Sequence, residues 1–251
     1  MTTVAVLADP PRDGLVLSSL AEETPLTQSE TADLYAAMLR DSCRAVEASG
    51  GELLVNYRAE EDIPDEYEGS QESEAEVRAA VRPILENPDE ARFEVQVGST
   101  FAARVGNTVT HLLEQEGVNT AAAVEPTGPF LARQVIDNAA MKLRRHEVVL
   151  GPAEAGRVYY AGFADSVDFT EVYEPPAVRT LTEQAGDAGL SVDFLPMQPV
   201  LETASDLVTV LSQLQAREQA GRWVPAHTAE FFEEVGLDVA DSDEGPTLVR
   251  N

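Results

Sequence analysis

Arg144-Arg-His-Glu-Val-Val-Leu-Gly-Pro-Ala-Glu-Ala-Gly-Arg-Val-Tyr-Tyr-Ala-Gly-Phe163 is the stretch on which the reading of this chain turns. A β-branched apolar run, Val148 to Leu150, stops at Gly151-Pro152, which neither a helix nor a central strand accepts in its interior. A second strand-like run starts at Val158, so the segment reads as a strand, a tight loop and a strand. In an α/β protein ligands sit at loops on the carboxyl ends of strands, which places Glu154, Gly156 and Arg157 for small-molecule chemistry. Tyr159 and Tyr160 alternate across the second strand, so one is expected to face the core and the other the cleft or solvent, with core packing the default for both.

Outward from this segment, strands and helices alternate. Thr3 to Ala8, Leu53 to Tyr57, Phe93 to Val97, Thr120 to Val124 and Val192 to Leu195 read as strands. Thr27 and Glu30 form a capping-box signature for a helix that ends at Gly50-Gly51. Phe101, Val105, Val109, Leu112 and Leu113 recur at helical spacing up to Gly117. Further helices are expected from about Leu131 to Arg145, near Ala177 to Ala188, and from about Ala204 to Ala220 behind a Thr203/Asp206 capping signal. An acidic, turn-rich excursion from Ala59 to Glu76 leads into a helix that stops before Asn87-Pro88. The order βαβαβαβα implies a mainly parallel, doubly wound sheet in one domain over residues 1–240, followed by a polar, frayed tail over 241–251.

The formal charge is -28, from 45 acidic and 17 basic residues, and the only lysine is Lys142. Self-repulsion of that size destabilises a compact state in dilute buffer and is screened in concentrated salt, so the acidic surface reads as halophilic. The acids are spread along the chain rather than gathered in one disordered tail. Nucleic-acid binding through a basic surface is disfavoured. Met1 leads directly into an apolar strand with neither a basic region nor a long apolar segment, so no membrane insertion and a cytoplasmic location are expected. Cys43 is the single cysteine, which excludes an intramolecular disulfide, and its spacing with Leu39 and Val46 marks a core position. His111, His146 and His227 are far apart and lack metal-ligand spacing. The glycine and serine motifs of P-loop ATPases, dinucleotide oxidoreductases and serine hydrolases are missing.

Four loops are expected at one sheet edge: Asp9 to Leu26, Glu125 to Pro129, Pro152 to Arg157 and Pro196 to Glu202. In Glu125-Pro126-Thr127-Gly128-Pro129 the prolines and glycine hold a turning backbone directly after a buried strand, which aims Glu125 at the switch-point crevice. With Glu202 from another strand-to-helix connection, it would form a hard-oxygen site for Mg²⁺ or Mn²⁺ against a substrate diphosphate. The plainer alternative is that Glu202 flanks a helix start and Glu125 caps nearby amides.

The order of these motifs resembles the GT-A nucleotide-diphospho-sugar transferase superfamily, in particular its small bacterial and archaeal branch of glycosyltransferases, or radical-SAM/selenodomain-associated transferases. The resemblance runs from about Val4 to Leu214. Val148-Val149-Leu150-Gly151-Pro152-Ala153-Glu154-Ala155-Gly156-Arg157-Val158-Tyr159 is similar to the family's apolar strand followed by Gly-Pro-Ala-x-Asp-Gly-Gly-Tyr-Tyr. Ala36-Ala37-Met38-Leu39-Arg40-Asp41 also fits, and Glu202-Thr203-Ala204-Ser205-Asp206-Leu207 is similar to Asp-Thr-x-x-Asp-Leu. Arg104 matches the arginine of the family's Leu-Gly-Glu-Arg-Met, and Gly14 and Leu20 match its Pro-Gly-x-x-Lys-Thr-Arg-Leu opening. That opening's two cations are replaced by Leu17 and Ser19, its Asp-Ser-Pro by Thr127-Gly128-Pro129, and its loop Asp by Ala155.

The resemblance implies a three-layer GT-A fold and transfer of a glycosyl or nucleotidyl group from an activated nucleotide donor, a nucleotide or nucleotide sugar. Arg12, Gly14, Arg104, Glu154, Gly156 and Arg157 are the candidate donor-binding residues, and Glu125 and Glu202 the candidate metal ligands. Arg12, Arg104 and Arg157 would replace the lost cations, because a guanidinium grips a diphosphate with a bidentate fork. The joint losses at Leu17, Ser19, Thr127 and Ala155 support an alternative, a catalytically degenerate member acting as a binding or partner-interaction module.

Overall fold

A computed structural model describes residues 1–242 and 245–250. The chain opens with β1 (Thr2–Ala8), every residue of it buried. There follow α1 (Ser18–Glu23), α2 (Gln28–Glu47), β2 (Glu52–Tyr57), α3 (Ser73–Val81), β3 (Arg92–Val95), α4 (Phe101–Thr110), β4 (Thr120–Val124) and α5 (Arg133–Lys142). The second half carries β5 (Val148–Pro152), β6 (Val158–Phe163), α6 (Ala177–Asp187), β7 (Val192–Phe194), α7 (Ala204–Gln219), α8 (Ala226–Val235), β8 (Leu237–Ser242) and β9 (Gly245–Arg250).

The main sheet has the order β3-β2-β1-β4-β6-β5-β7. Its pairings are parallel except those of β6, which runs antiparallel to both β4 and β5. The strand-loop-strand segment is therefore a hairpin set into a parallel sheet, with a bulge at Gly151/Pro152. Apolar faces of α2, α3 and α5 cover one side through Leu39, Val46, Val77, Val81 and Ile136. On the other side α4 contributes Val105 and Val109, the helical turn after it Leu112, and α6 Leu181. These are the three layers of an α/β fold. Because both faces of the sheet are covered, Tyr159 and Tyr160 are both buried, where an open face would have left one of them exposed. Gly151 is dictated by this packing, since a Cβ there would lie 2.6 Å from the Tyr159 ring.

A third cluster joins α1, α2, α7 and α8 through Leu20, Leu34, Met38, Leu207, Leu211 and Phe232. The capping boxes read at Thr27/Glu30 and Thr203/Asp206 are present. Helix α8 has no capping side chain of its own. Asp41 of α2 supplies one, accepting from the His227 and Thr228 backbone N–H groups (3.0 and 2.8 Å) and from the Thr228 hydroxyl (2.7 Å). Where a frayed tail is expected, β8 and β9 pair as an antiparallel hairpin; residues 243, 244 and 251 lie outside the described residues. No helix among the described residues is long and apolar enough to cross a membrane.

Candidate functional site

Strand β1 has β2 on one side and β4 on the other, so its carboxyl end is the switch point where the chain's connections diverge. A cavity of about 380 Å³ opens there. Its walls carry Asp9, Gln96, Arg104, Glu125, Thr127 and Glu202 among apolar side chains that include Leu7, Val16, Leu17 and Phe101.

Two of the cavity's carboxylates sit where a strand ends. Asp9 directly follows β1, and its N–H donates to the Tyr35 hydroxyl of α2 (2.9 Å). Its Oδ1 is buried without a hydrogen bond, and the nearest cation, Arg58, lies 3.7 Å away. Glu125 directly follows β4. Burial above all, and then the neighbouring carboxylates of Glu202 and Asp9, push its carboxyl up to about 8 against the pull of Arg104 and Arg157. Arg104 projects from α4 and is the only cation among the cavity-lining residues; its Nε has no partner, and burial lowers its pKa.

Glu202 is held from four directions. Its Oε1 accepts from the Thr127 hydroxyl (3.2 Å) and its Oε2 from Arg157 Nη1 (3.1 Å). Its backbone carbonyl accepts from Ser19 (2.7 Å), and its N–H donates to Asp206 (3.1 Å). The Leu201 N–H to Thr127 carbonyl bond (2.8 Å) ties the two loops together. Glu125 and Glu202, taken from the sequence as a carboxylate pair, thus line one cavity.

The other candidates stand differently. Arg157 grips Asp206 with two bonds (2.8 and 2.7 Å) while reaching Glu202, so its guanidinium is committed to carboxylates. Glu154 is exposed and contributes its carbonyl to Arg157 Nε (3.1 Å). Gly156 adopts φ +75°, and a Cβ there would lie 2.4 Å from Pro176, so its identity follows from the turn. Gly14 packs beside Tyr67. Arg12 faces away from the cavity and pins the acidic excursion through Glu60 (2.8 Å), Glu76 (2.9 Å) and the carbonyls of Tyr67 and Gln71. Arg104 is therefore the one of the three candidate arginines on the cavity wall.

Asp9, Gln96 and Arg58 escape the sequence reading, although each lies just beyond the carboxyl end of a parallel strand. Asking which residue follows each strand would have found Asp9 and Arg58, but not Gln96, because the strand read as ending at Val97 ends at Val95. His111, read as isolated, comes close to Glu94 and Glu116 with donor atoms within 4.8 Å of one another. Both carboxylates are already bonded by Arg92.

No protein-family model matches the sequence, and no curated protein is similar to it. Among solved structures, a protein from Desulfovibrio desulfuricans G20 assigned to the nucleotide-diphospho-sugar transferases superposes with a TM-score of 0.75 at 18% identity, over 93% of this chain and 94% of that one. The chain has a nucleotide-diphospho-sugar transferase-like fold. A cytidylyltransferase from Leptospira borgpetersenii aligns at a TM-score of 0.49 and 8% identity over 93% and 94% of the two chains. A 4-diphosphocytidyl-2C-methyl-D-erythritol synthase from Anaerococcus prevotii aligns at 0.48 and 13% identity, over 86% of this chain and 96% of that one. At these identities the likeness describes the fold, and the chemistry has to come from the side chains around the cavity.

Proposed function

We propose that the protein is a nucleotide-dependent transferase that takes an activated nucleotide donor into the switch-point cavity and transfers a glycosyl or nucleotidyl group. The observation that carries this reading is the convergence of Glu125 and Glu202 with Arg104 around that cavity. The donor set suits a divalent cation. Glu125 makes no hydrogen bond with a described residue, and its carboxyl is pushed up to about 8 by burial first and by the carboxylates of Glu202 and Asp9 next, so a bound cation would relieve both the burial of its charge and that repulsion. Glu125 and Glu202 would hold Mg²⁺ or Mn²⁺, whose role would be to offset charge developing on the donor's phosphates. Arg104 would bind those phosphates with a guanidinium fork, at a half-buried position where water competes poorly. Tyr35 steadies the Asp9 backbone, and Leu15, Val16 and Leu17 keep one wall apolar.

The commitment of Arg12 and Arg157 to carboxylates supports a second reading, a degenerate member that binds a nucleotide or partner without turnover. Thermal unfolding in molar KCl against nucleoside di- and triphosphates and nucleotide sugars, with and without Mg²⁺ or Mn²⁺, tests the first. A ligand at about a hundred times its Kd adds about 2.7 kcal/mol, a shift of roughly 5–10 °C for a chain of this size. Glu125→Gln is expected to abolish the metal-dependent part and Arg104→Ala most of the shift. A folded protein that no member of the panel stabilises would overturn the proposal. Turnover of an activated donor, lost in Glu125→Gln, would remove the degenerate reading.

A further inference from the structure

Gln96, the residue after β3, is 3% exposed and lines the cavity. Its side-chain Nε2 donates to the backbone carbonyls of Asn56 (2.6 Å) and Ala8 (3.3 Å), and its own N–H donates to the Tyr57 carbonyl (2.7 Å). Both Nε2 partners are acceptors, so turning the amide over would bring two oxygens face to face at 2.6 Å. The amide is locked in one sense. Its Oε1 accepts no hydrogen bond from any described residue and, unlike Asp9 Oδ1 and Arg104 Nε, is not sealed away from solvent. Gln96 lines the switch-point cavity, which offers that oxygen an opening.

We infer that Gln96 is a specificity-determining residue whose fixed carbonyl oxygen selects a donor with an exocyclic amino group on its base, as in cytosine or adenine, over the oxo counterparts uracil and hypoxanthine. A buried acceptor held rigid rewards an N–H donor and repels an oxygen in the same place, because it cannot rotate to offer its amide hydrogens instead. Leu7, Leu15, Val16 and Phe101 give the same cavity an apolar lining suited to a planar ring. The volume of about 380 Å³ lies within the range of small-molecule sites. This inference rests on the nucleotide-dependent reading and adds to it which bases are accepted.

Matched pairs isolate the effect: cytidine against uridine diphosphate, and adenosine against inosine diphosphate, each with Mg²⁺ in molar KCl. Within a pair the phosphates and sugar are identical, so whatever acts on them cancels in the ratio of Kd values. The amino member of each pair is expected to bind about tenfold more tightly. In Gln96→Lys, which can still donate to the Asn56 and Ala8 carbonyls but offers no acceptor, the ratio should fall to about one or invert. Gln96→Met serves as a second variant, and an unchanged unfolding midpoint shows that the fold is intact. Equal affinities within both pairs, or a preference that survives in both variants, overturn the inference while leaving nucleotide binding standing. If none of the four diphosphates binds the folded protein, the nucleotide reading falls and this inference falls with it.

Discussion

Glu125 concentrates the tension of the site in one side chain. Its carboxyl is pushed up to about 8 by burial first and by Glu202 and Asp9 next, far above the unfolded value near 4.5. Between those two values the folded chain keeps a proton that the unfolded chain has released. The native state therefore binds more protons, and stability must fall as pH rises through that window. The limit is about 1.4 kcal/mol per pH unit, reduced to the extent that water in the open cavity screens the charge. Glu125→Gln cannot titrate, so the variant is expected to gain on the wild type from about pH 5 to about pH 9, and to be the more stable of the two at the upper end. Denaturant midpoints in metal-free molar KCl measure this. A difference between the two proteins that does not change with pH would mean that Glu125 is ionised throughout and that the cavity has no unmet demand for positive charge.

At the scale of elements, legibility followed the range of the interactions involved. The helix starts at Thr27 and Thr203 were readable because cap and partner lie three residues apart in sequence. Helix α8 was not, because its cap is Asp41, about 186 residues away in the chain. Asp41→Ala leaves the His227 and Thr228 N–H groups without their acceptor and should cost about 1–2 kcal/mol, with Asp41→Asn costing less. Urea unfolding gives the magnitude, and faster hydrogen exchange confined to α8 would locate it; unchanged exchange there would show that packing of Phe231 and Phe232 holds the helix without the cap. Apolar runs revealed the strands of the main sheet, but no local pattern shows that β6 enters between β4 and β5, since that order is a matter of long-range pairing. The β8–β9 hairpin gave too short an apolar signal to be read as strands, since only Leu237, Val239 and Leu248 pack on the α1/α2/α7/α8 cluster and the rest of the pairing is backbone. The site was legible to the same degree. Glu125 announced itself by following a strand and Glu202 by its place in a strand-to-helix connection, whereas Arg12 could not be told from a cavity cation without seeing Glu60 and Glu76, 48 and 64 residues further along, close around it.

Over the whole molecule, the -28 charge sets two effects of salt against each other. Arginine is used sparingly: Arg92 serves Glu52, Glu94 and Glu116, Arg12 serves Glu60 and Glu76, and Arg157 serves Glu202 and Asp206. Salt weakens such pairs, but the exposed ones are worth only about 0–1 kcal/mol each. It also screens the mutual repulsion of acids that far outnumber the cations available to them, and that term extends over the entire surface. The second effect should win. The unfolding midpoint is expected to climb steeply as KCl rises from about 0.1 M and to level off beyond about 1 M, where the screening length has shrunk to about 3 Å and little repulsion is left to remove. Sucrose, which favours compact states by exclusion from the surface without screening charge, should give no comparable plateau. A scan of the midpoint against KCl and against sucrose distinguishes these terms. A midpoint that falls with KCl would show that the shared-arginine networks, rather than screened repulsion, dominate the stability of this surface, and the halophilic reading of the composition would have to be abandoned.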